Sequence, residues 1–337
     1  MTTEAKIQIT SSELGTLWST YISKSARLLI HEFFKNKTID KEAQNIIAEF
    51  ITKGENIKTD IVDIFNNEKA VLPIAFSEQD VVMEAPTLFD DIFHIMFLRQ
   101  MMKLNMGYCS VYSAMSYTKE VQDIFKINNE VANKYYVITT KYLLGKGVLA
   151  KPPYVTMPKK VEFIENKSYM SGHNPFSGKR SLNTLEVGFL NEGIEDNIFG
   201  MQLMTGFAQV ATDNEVRKYF IEGKELAKNI ISKLSDILLQ SDIQPPSTWA
   251  GRATDSTTTP FSDKLMMFIT SLLNNTAVGY NALGTSFSMR GDLHSKLALI
   301  SKDAFDFAKK GSKLMIEHKW MEEPPQMEDR NKLTKSK

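Results

Sequence analysis

A shift of 172 residues lays this 337-residue chain onto itself. Pro152-Pro153 then falls on Pro324-Pro325, Phe89 on Phe261, Asp91 on Asp263, Gly107-Tyr108 on Gly279-Tyr280, Ser116 on Ser288 and Ala132 on Ala304. One further residue of offset carries Glu13 onto Glu186, Asp40 onto Asp213 and Glu42 onto Glu215. A chain that repeats a unit of this length builds one structure twice. The unit fills 1–153 and again 181–325, with a connector at 154–180 and a charged tail at 326–337. Each copy closes on a Pro-Pro pair, in KGVLAKPPY at 146–154 and HKWMEEPPQ at 318–326. Proline lacks an amide donor and biases its predecessor away from helix, so the pair ends the copy.

Each unit reads as four helices. In the first copy Leu14, Leu17, Trp18, Tyr21, Ser25, Leu28 and Leu29 keep the three-four spacing of one helix face, and Ser11 or Ser12 is placed to cap its start. A second helix opens at Asp40 and carries Ala43, Ile47, Phe50, Ile57, Ile61 and Phe65. A third begins near Pro86 with Leu88, Ile95, Leu98 and Met102, and a fourth carries Val121, Ile124, Phe125, Ala132, Tyr135 and Tyr142. The second copy matches, with Thr259 before Pro260 expected to cap its third helix. Gly107 and Gly279 fall inside helices at equivalent points. Glycine there costs about 1 kcal/mol against alanine, which predicts a close helix approach or a kink.

Connection lengths set the expected topology. The first two helices of a copy, and the last two, are joined by a few residues and are antiparallel neighbours. Between the second and third lies KAVLPIAFSEQDVVMEA, which as extended chain covers about 50 Å. A helix of this size is about 40 Å long, so the connection can run the length of the bundle. The expected fold class is therefore all-α: two tandem ferritin-like four-helix bundles with long crossover connections. The alternative is an up-down-up-down bundle with a long ornamental loop. Val161, Phe163 and Ile164 in the connector are expected to dock it against a bundle.

Composition narrows the function. Forty basic residues balance forty acidic ones, which argues against a general nucleic-acid binder. Lys159, Lys160, Lys167, Lys179, Arg180 and the tail RNKLTKSK read as solvated segments. Cys109 is the only cysteine, so intrachain disulfides and Cys-rich metal sites are excluded. It reads as a buried small hydrophobe in a protein of a reducing, cytoplasmic compartment. No signal peptide opens the chain, and no run approaches a membrane span.

The fold class suggests a test for metal chemistry. Di-iron carboxylate bundles need a Glu from each of two helices and a Glu-x-x-His from each of the others. No Glu-x-x-His occurs here; the nearest match is Asp91-x-x-His94. A smaller candidate metal site is His31, Glu32, Asp91 and His94, which the crossover topology brings to one end of the first copy. It would take a single iron or manganese ion. In the second copy Asp263 remains, but the other three become Met204, Thr205 and Met266, which favours a structural role for the aspartate. Asn128, on the apolar face of the fourth helix where the second copy has Ile300, reads as a packing-register residue before a ligand contact. His173, His294 and His318 read as surface residues. No catalytic motif appears.

Several stretches together carry a resemblance: SELGTLWSTYISKS, PIAFSEQDV, APTLFDDIF, KPPYVTMPKKVEFIE, GFAQVATDNEVRKYFIEGKE, TDSTTTPFSDKLMMF and EEPPQMEDR. The chain resembles the domain-of-unknown-function 3231 family of Bacillus-type spore formers over nearly its whole length. The resemblance implies a tandem ferritin-like fold and an association with the spore coat, and it carries over no catalytic residue. The expected function is a non-enzymatic structural or interaction protein with a protein partner or a homo-oligomeric state. The alternative is a ferritin-like metal-binding or redox protein with one site in the first bundle.

Overall fold

Eight long helices account for most of the chain in the computed structural model, which describes residues 8–172, 179–249 and 251–335. The first copy contributes α1 (Ser11–Lys37), α2 (Lys41–Asn67), α3 (Asp91–Ala114) and α4 (Lys119–Gly145). The second contributes α5 (Thr184–Val210), α6 (Asn214–Leu239), α7 (Asp263–Phe287) and α8 (Gly291–Glu317), and a short α9 (Arg330–Lys335) lies in the tail. No described helix is long and apolar enough to cross a membrane. His173 lies outside the described residues.

The ends of these helices follow local chemistry, and twice differ from the expectation. Thr10, not Ser11 or Ser12, caps α1, in a capping box with Glu13; Asn183 and Glu186 repeat that box at α5. Ser262, not Thr259, caps α7, and Asp90 holds the equivalent place at α3. Both helices start later than their prolines predicted because the preceding residues are drawn into pairing between the copies. At the other ends Lys69, Asp242, Gly147 and Lys319 adopt positive φ, and the next amide returns to the last helical turn, as Val148 N does to Leu143 O and Trp320 N to Met315 O. The helices α4 and α8 therefore stop at a left-handed cap, and the Pro-Pro pairs end the short straps that follow.

Two carboxylates per copy fix the direction of the helices. Glu13, at the start of α1, accepts from the amides of Tyr117 and Thr118 at the start of α4 (2.8 and 2.6 Å). Asp91, at the start of α3, accepts from the amides of Ile39 and Asp40 before α2 (3.0 and 2.7 Å). So α1 and α4 begin at one end, α2 and α3 at the other, and residues 68–90 must return along the full length. Glu186 and Asp263 make the same contacts in the second copy, to Met289 and Arg290 and to Thr212 and Asp213. The carboxylates shared by the two copies are thus structural clamps.

The two return segments pair with each other. Val82 N donates to Pro260 O (2.8 Å) and Thr254 N to Leu88 O (2.9 Å), and isolated antiparallel bridges join Val81 to Phe261 and Phe89 to Ala253. Each bond maps onto the other under the repeat, so a pseudo-two-fold axis runs between the segments. Rings interleave across it. Phe33 and Phe34 meet Phe261, Phe207 meets Phe89, and Phe93 stacks on Phe199. All are fully buried within one cluster that draws on both copies. At about 2 kcal/mol for each buried phenylalanine, this contact outweighs surface ion pairs. Further contacts join α1 to α7 and α3 to α5.

Two further expectations change. Val161, Phe163 and Ile164 are exposed. The end of the connector is instead held by Arg180, which stacks on Tyr169 and grips Glu186 with both terminal nitrogens (2.8 and 2.7 Å). A β-carbon at Gly107 or Gly279 would meet open space, so neither glycine marks a close approach. Close approaches occur at other glycines, as at Gly206, where an added carbon would run into the Phe89 ring, and at Gly251, which has φ of +78° against the backbone of Phe93.

Candidate functional site

The four residues expected to gather a metal each have another partner. His31 is buried, and its Nδ1 donates to the Arg27 carbonyl (2.6 Å), which leaves Nε2 unprotonated among the rings of Phe50 and Phe97. Glu32 pairs with Lys35 on the helix surface. Asp91 and His94 are brought together at 3.9 Å, but Asp91 is engaged by the loop amides. His94 stacks on Phe34 and bonds Thr38 Oγ1 at 2.9 Å. Burial holds both imidazoles down to about 3 and therefore neutral. Among the described residues no three His, Cys, Asp or Glu side chains are placed to hold a metal ion.

The unusual chemistry lies one to two turns earlier in α1. Lys24 and Arg27 are each 4% exposed inside the first copy. Lys24 Nζ donates to Asn128 Oδ1 (3.1 Å), and Arg27 spends Nε on the Ser23 carbonyl (3.1 Å) and Nη2 on Asn105 Oδ1 (3.4 Å). Asn105 Nδ2 donates to the same Asn128 oxygen (3.1 Å). Among the described residues no carboxylate is in ion-pair range of either cation; Glu55, which Lys24 senses, is paired with Lys58 at 2.8 Å. Two cations buried without an anion are costly. Burial pushes Arg27 below its usual range and Lys24 down to about 7, helped by their mutual repulsion at Lys24. The Cys109 thiol nearby is buried and pushed up to about 11.

A cavity of about 330 Å³ opens against this cluster. Arg27, Asn105, Asn128 and Trp18 form its inner wall, and Ser271, Phe268 and Asn275 of α7 face them from the other copy. The strap after α8 closes one side, through Trp320, Met321 and Glu322. Glu322 accepts from the amides of Ile74 and Ala75 (2.7 and 2.5 Å), holding Ala75 at a φ of +57°. Three buried donors on residues that line this cavity lack partners among the described residues: Arg27 Nη1, Asn128 Nδ2 and Trp18 Nε1. Only the weakly accepting Cys109 thiol lies beside the Asn128 amide. Native interiors rarely leave such groups unpaired.

The pseudo-two-fold mate of this cavity, about 460 Å³, lies between α5, α7 and α3. There Lys103 pairs with Glu192 and Asp196, and Arg99 with Glu195. Gln100 adds a bond to Asp196 at 2.9 Å. The first copy has Ser19, Ile22 and Ser23 in place of those three acids, and α7 has Ser271 and Asn275 in place of Arg99 and Lys103. The second copy in turn has Asn197, Gly200, Ala277 and Ile300 where the first has Lys24, Arg27, Asn105 and Asn128.

Sequence reasoning reached Asn128 and missed Lys24 and Arg27. The available signal was Lys24 itself, a lysine in the apolar stripe between Tyr21 and Leu28.

Comparison with known proteins supplies a family and no activity. No curated protein matches the chain. A solved structure described as "putative spore coat protein" of Bacillus halodurans is similar over 45% of this chain and 98% of its own, at 20% identity and a TM-score of 0.39. Residues 1–161 and 170–333 both match the family described as Protein of unknown function, DUF3231. The chain belongs to that family, carrying its unit twice.

Proposed function

We propose that this protein is a binding protein and not a catalyst: a pair of ferritin-like four-helix bundles, units 1–153 and 181–325, in which the first encloses a small-molecule chamber and the second covers it. The observation that carries this reading is that three unpartnered buried donors belong to residues that line one cavity. A purely structural core has no use for them, since each unmade bond costs about 1–3 kcal/mol. A volume near 330 Å³ falls in the range of ligand pockets, with an apolar lining and a few convergent polar groups. The full-length return segments and the helix directions support the ferritin-like frame. The side chains facing the chamber supply no nucleophile paired with a base. Association with the spore, implied by the family resemblance, would be a matter of where this binding protein acts.

The test is to purify the chain from the cells that express it, denature it, and identify released small molecules by mass spectrometry. The expected result is about one molecule per chain, absent from a Ser271→Phe variant in which the added ring fills the chamber. Equal release from the variant, or none from the native chain, would overturn the reading.

A further inference from the structure

The donors and acceptors around the first chamber are unbalanced in one direction. The amide acceptors of its inner wall are consumed: Asn128 Oδ1 serves both Lys24 and Asn105, and Asn105 Oδ1 serves Arg27. The unpartnered buried atoms left on these residues are all donors, one of them the free edge of a guanidinium. The other charged groups at the chamber are occupied. Lys264 Nζ donates to the Ala75 carbonyl (2.9 Å) and lies over the Phe76 ring, and Glu322 is bound by two backbone amides. The Arg27–Asn105–Asn128 cluster against the chamber therefore lacks one negative charge with acceptor oxygens. The mate cavity shows what fills an equivalent demand, because there the protein supplies its own carboxylates to Arg99 and Lys103.

Resting on the reading of this chamber as a ligand site, we propose that its occupant is a monocarboxylate with an apolar body. The carboxylate takes the free Nη1 of Arg27 and the amide of Asn128, with the Trp18 indole N–H as a third donor. A carboxylate offers about four lone-pair positions on two oxygens, enough for all three. One free guanidinium edge balances one charge, which favours a carboxylate over a phosphate dianion. The hydrocarbon lies against Phe268, Met315 and Trp320, which line the chamber away from the donors.

The test is calorimetric titration of the full chain with decanoate, decanol and inorganic phosphate. Two variants accompany it. Arg27→Met removes the charge, and Asn128→Asp places a carboxylate between Lys24 and Asn105; circular dichroism checks that both are folded. Decanoate is expected to bind one per chain and decanol at least about tenfold more weakly, with decanoate affinity falling roughly 10–100-fold in Arg27→Met. In Asn128→Asp the built-in carboxylate satisfies the cations, and decanoate binding should be lost. Equal affinity for decanol, unchanged decanoate affinity in the two variants, or phosphate binding tighter than decanoate would overturn the carboxylate assignment and leave the chamber as a ligand site of another class. No binding of decanoate or decanol would overturn the carboxylate assignment; with no molecule released from the native chain, it would also overturn the chamber reading.

Discussion

The two cavities related by the pseudo-two-fold axis have the same helices around them and opposite electrostatics. At the α3–α5 side, two cations meet three acids, and every charge is answered inside the protein. At the α1–α7 side, two cations stand with no acid in ion-pair range among the described residues, and three unpartnered donors belong to residues that line a cavity. Duplication kept the frame, down to matching hydrogen bonds between the return segments, and let the chemistry of the two interfaces diverge. One became a lock and the other a chamber.

The largest expected effect comes from breaking the lock. Burial opposes the charge on Lys103, but Asp196 and Glu192 hold it above the usual lysine range. Lys103→Met should cost about 3–5 kcal/mol in urea unfolding, because it strands two acids. A loss below 1 kcal/mol would mean that water already reaches the pair.

The next effect comes from the shared clamps. Burial works against ionised Glu13, yet the amides of Thr118, Thr10 and Tyr117 hold its carboxyl down to about 2 from 4.5. A depressed folded-state value stabilises above the unfolded one, so this contribution is lost as pH falls from about 4.5 to about 2. Glu13→Gln should lower stability by about 2 kcal/mol at neutral pH and flatten the acid limb of the pH-stability profile. An unchanged acid limb would remove the clamp from the account.

The chamber should respond with the opposite sign to the lock. Arg27→Met deletes an unanswered buried cation and should raise the stability of the unliganded protein by about 1–2 kcal/mol. Lys24 tests the same point through pH. Its folded-state value near 7 lies below the ordinary 10.5, so between those values the unfolded chain binds a proton that the folded chain does not. Unliganded stability should therefore rise with pH over that window, and Lys24→Met should abolish the rise. A Lys24→Met profile parallel to the parent's would contradict the burial of an unpaired ammonium.

The smallest effect is at Gly279. With open space around a β-carbon there, Gly279→Ala should stabilise by up to about 1 kcal/mol. The same change at Gly251, where the carbon would meet the Phe93 amide at 2.4 Å, should destabilise. Thermal melts of both variants would separate open from closed glycines.

Much of the fold was legible because it rests on local signals. The three-four stripes and the repeat marked eight helices and their order, although two of the expected caps fell on neighbouring residues. What the sequence hid was the pairing between copies, since Val81–Phe261 and Phe89–Ala253 are distant in sequence and carry no turn or periodicity signal. That pairing displaced the expected starts of α3 and α7 and brought one copy's strap over the other's cavity. The site was hidden for a related reason. Arg27 reads as an ordinary surface residue until it is seen buried against Asn105, whereas Lys24 and Asn128 each break an apolar stripe. Of the candidate metal residues, Asp91 and His94 do meet, the first bonded to the loop amides of Ile39 and Asp40 and the second stacked on Phe34.

The most direct test of a lock beside a chamber is a crystal structure of the chain grown with decanoate. The account predicts density for a carboxylate at Arg27 Nη1 and Asn128 Nδ2, its tail toward Trp320, and none at the Lys103 cavity. Side chains collapsed over an empty first chamber, or decanoate bound only beside Lys103 or on the surface, would contradict it.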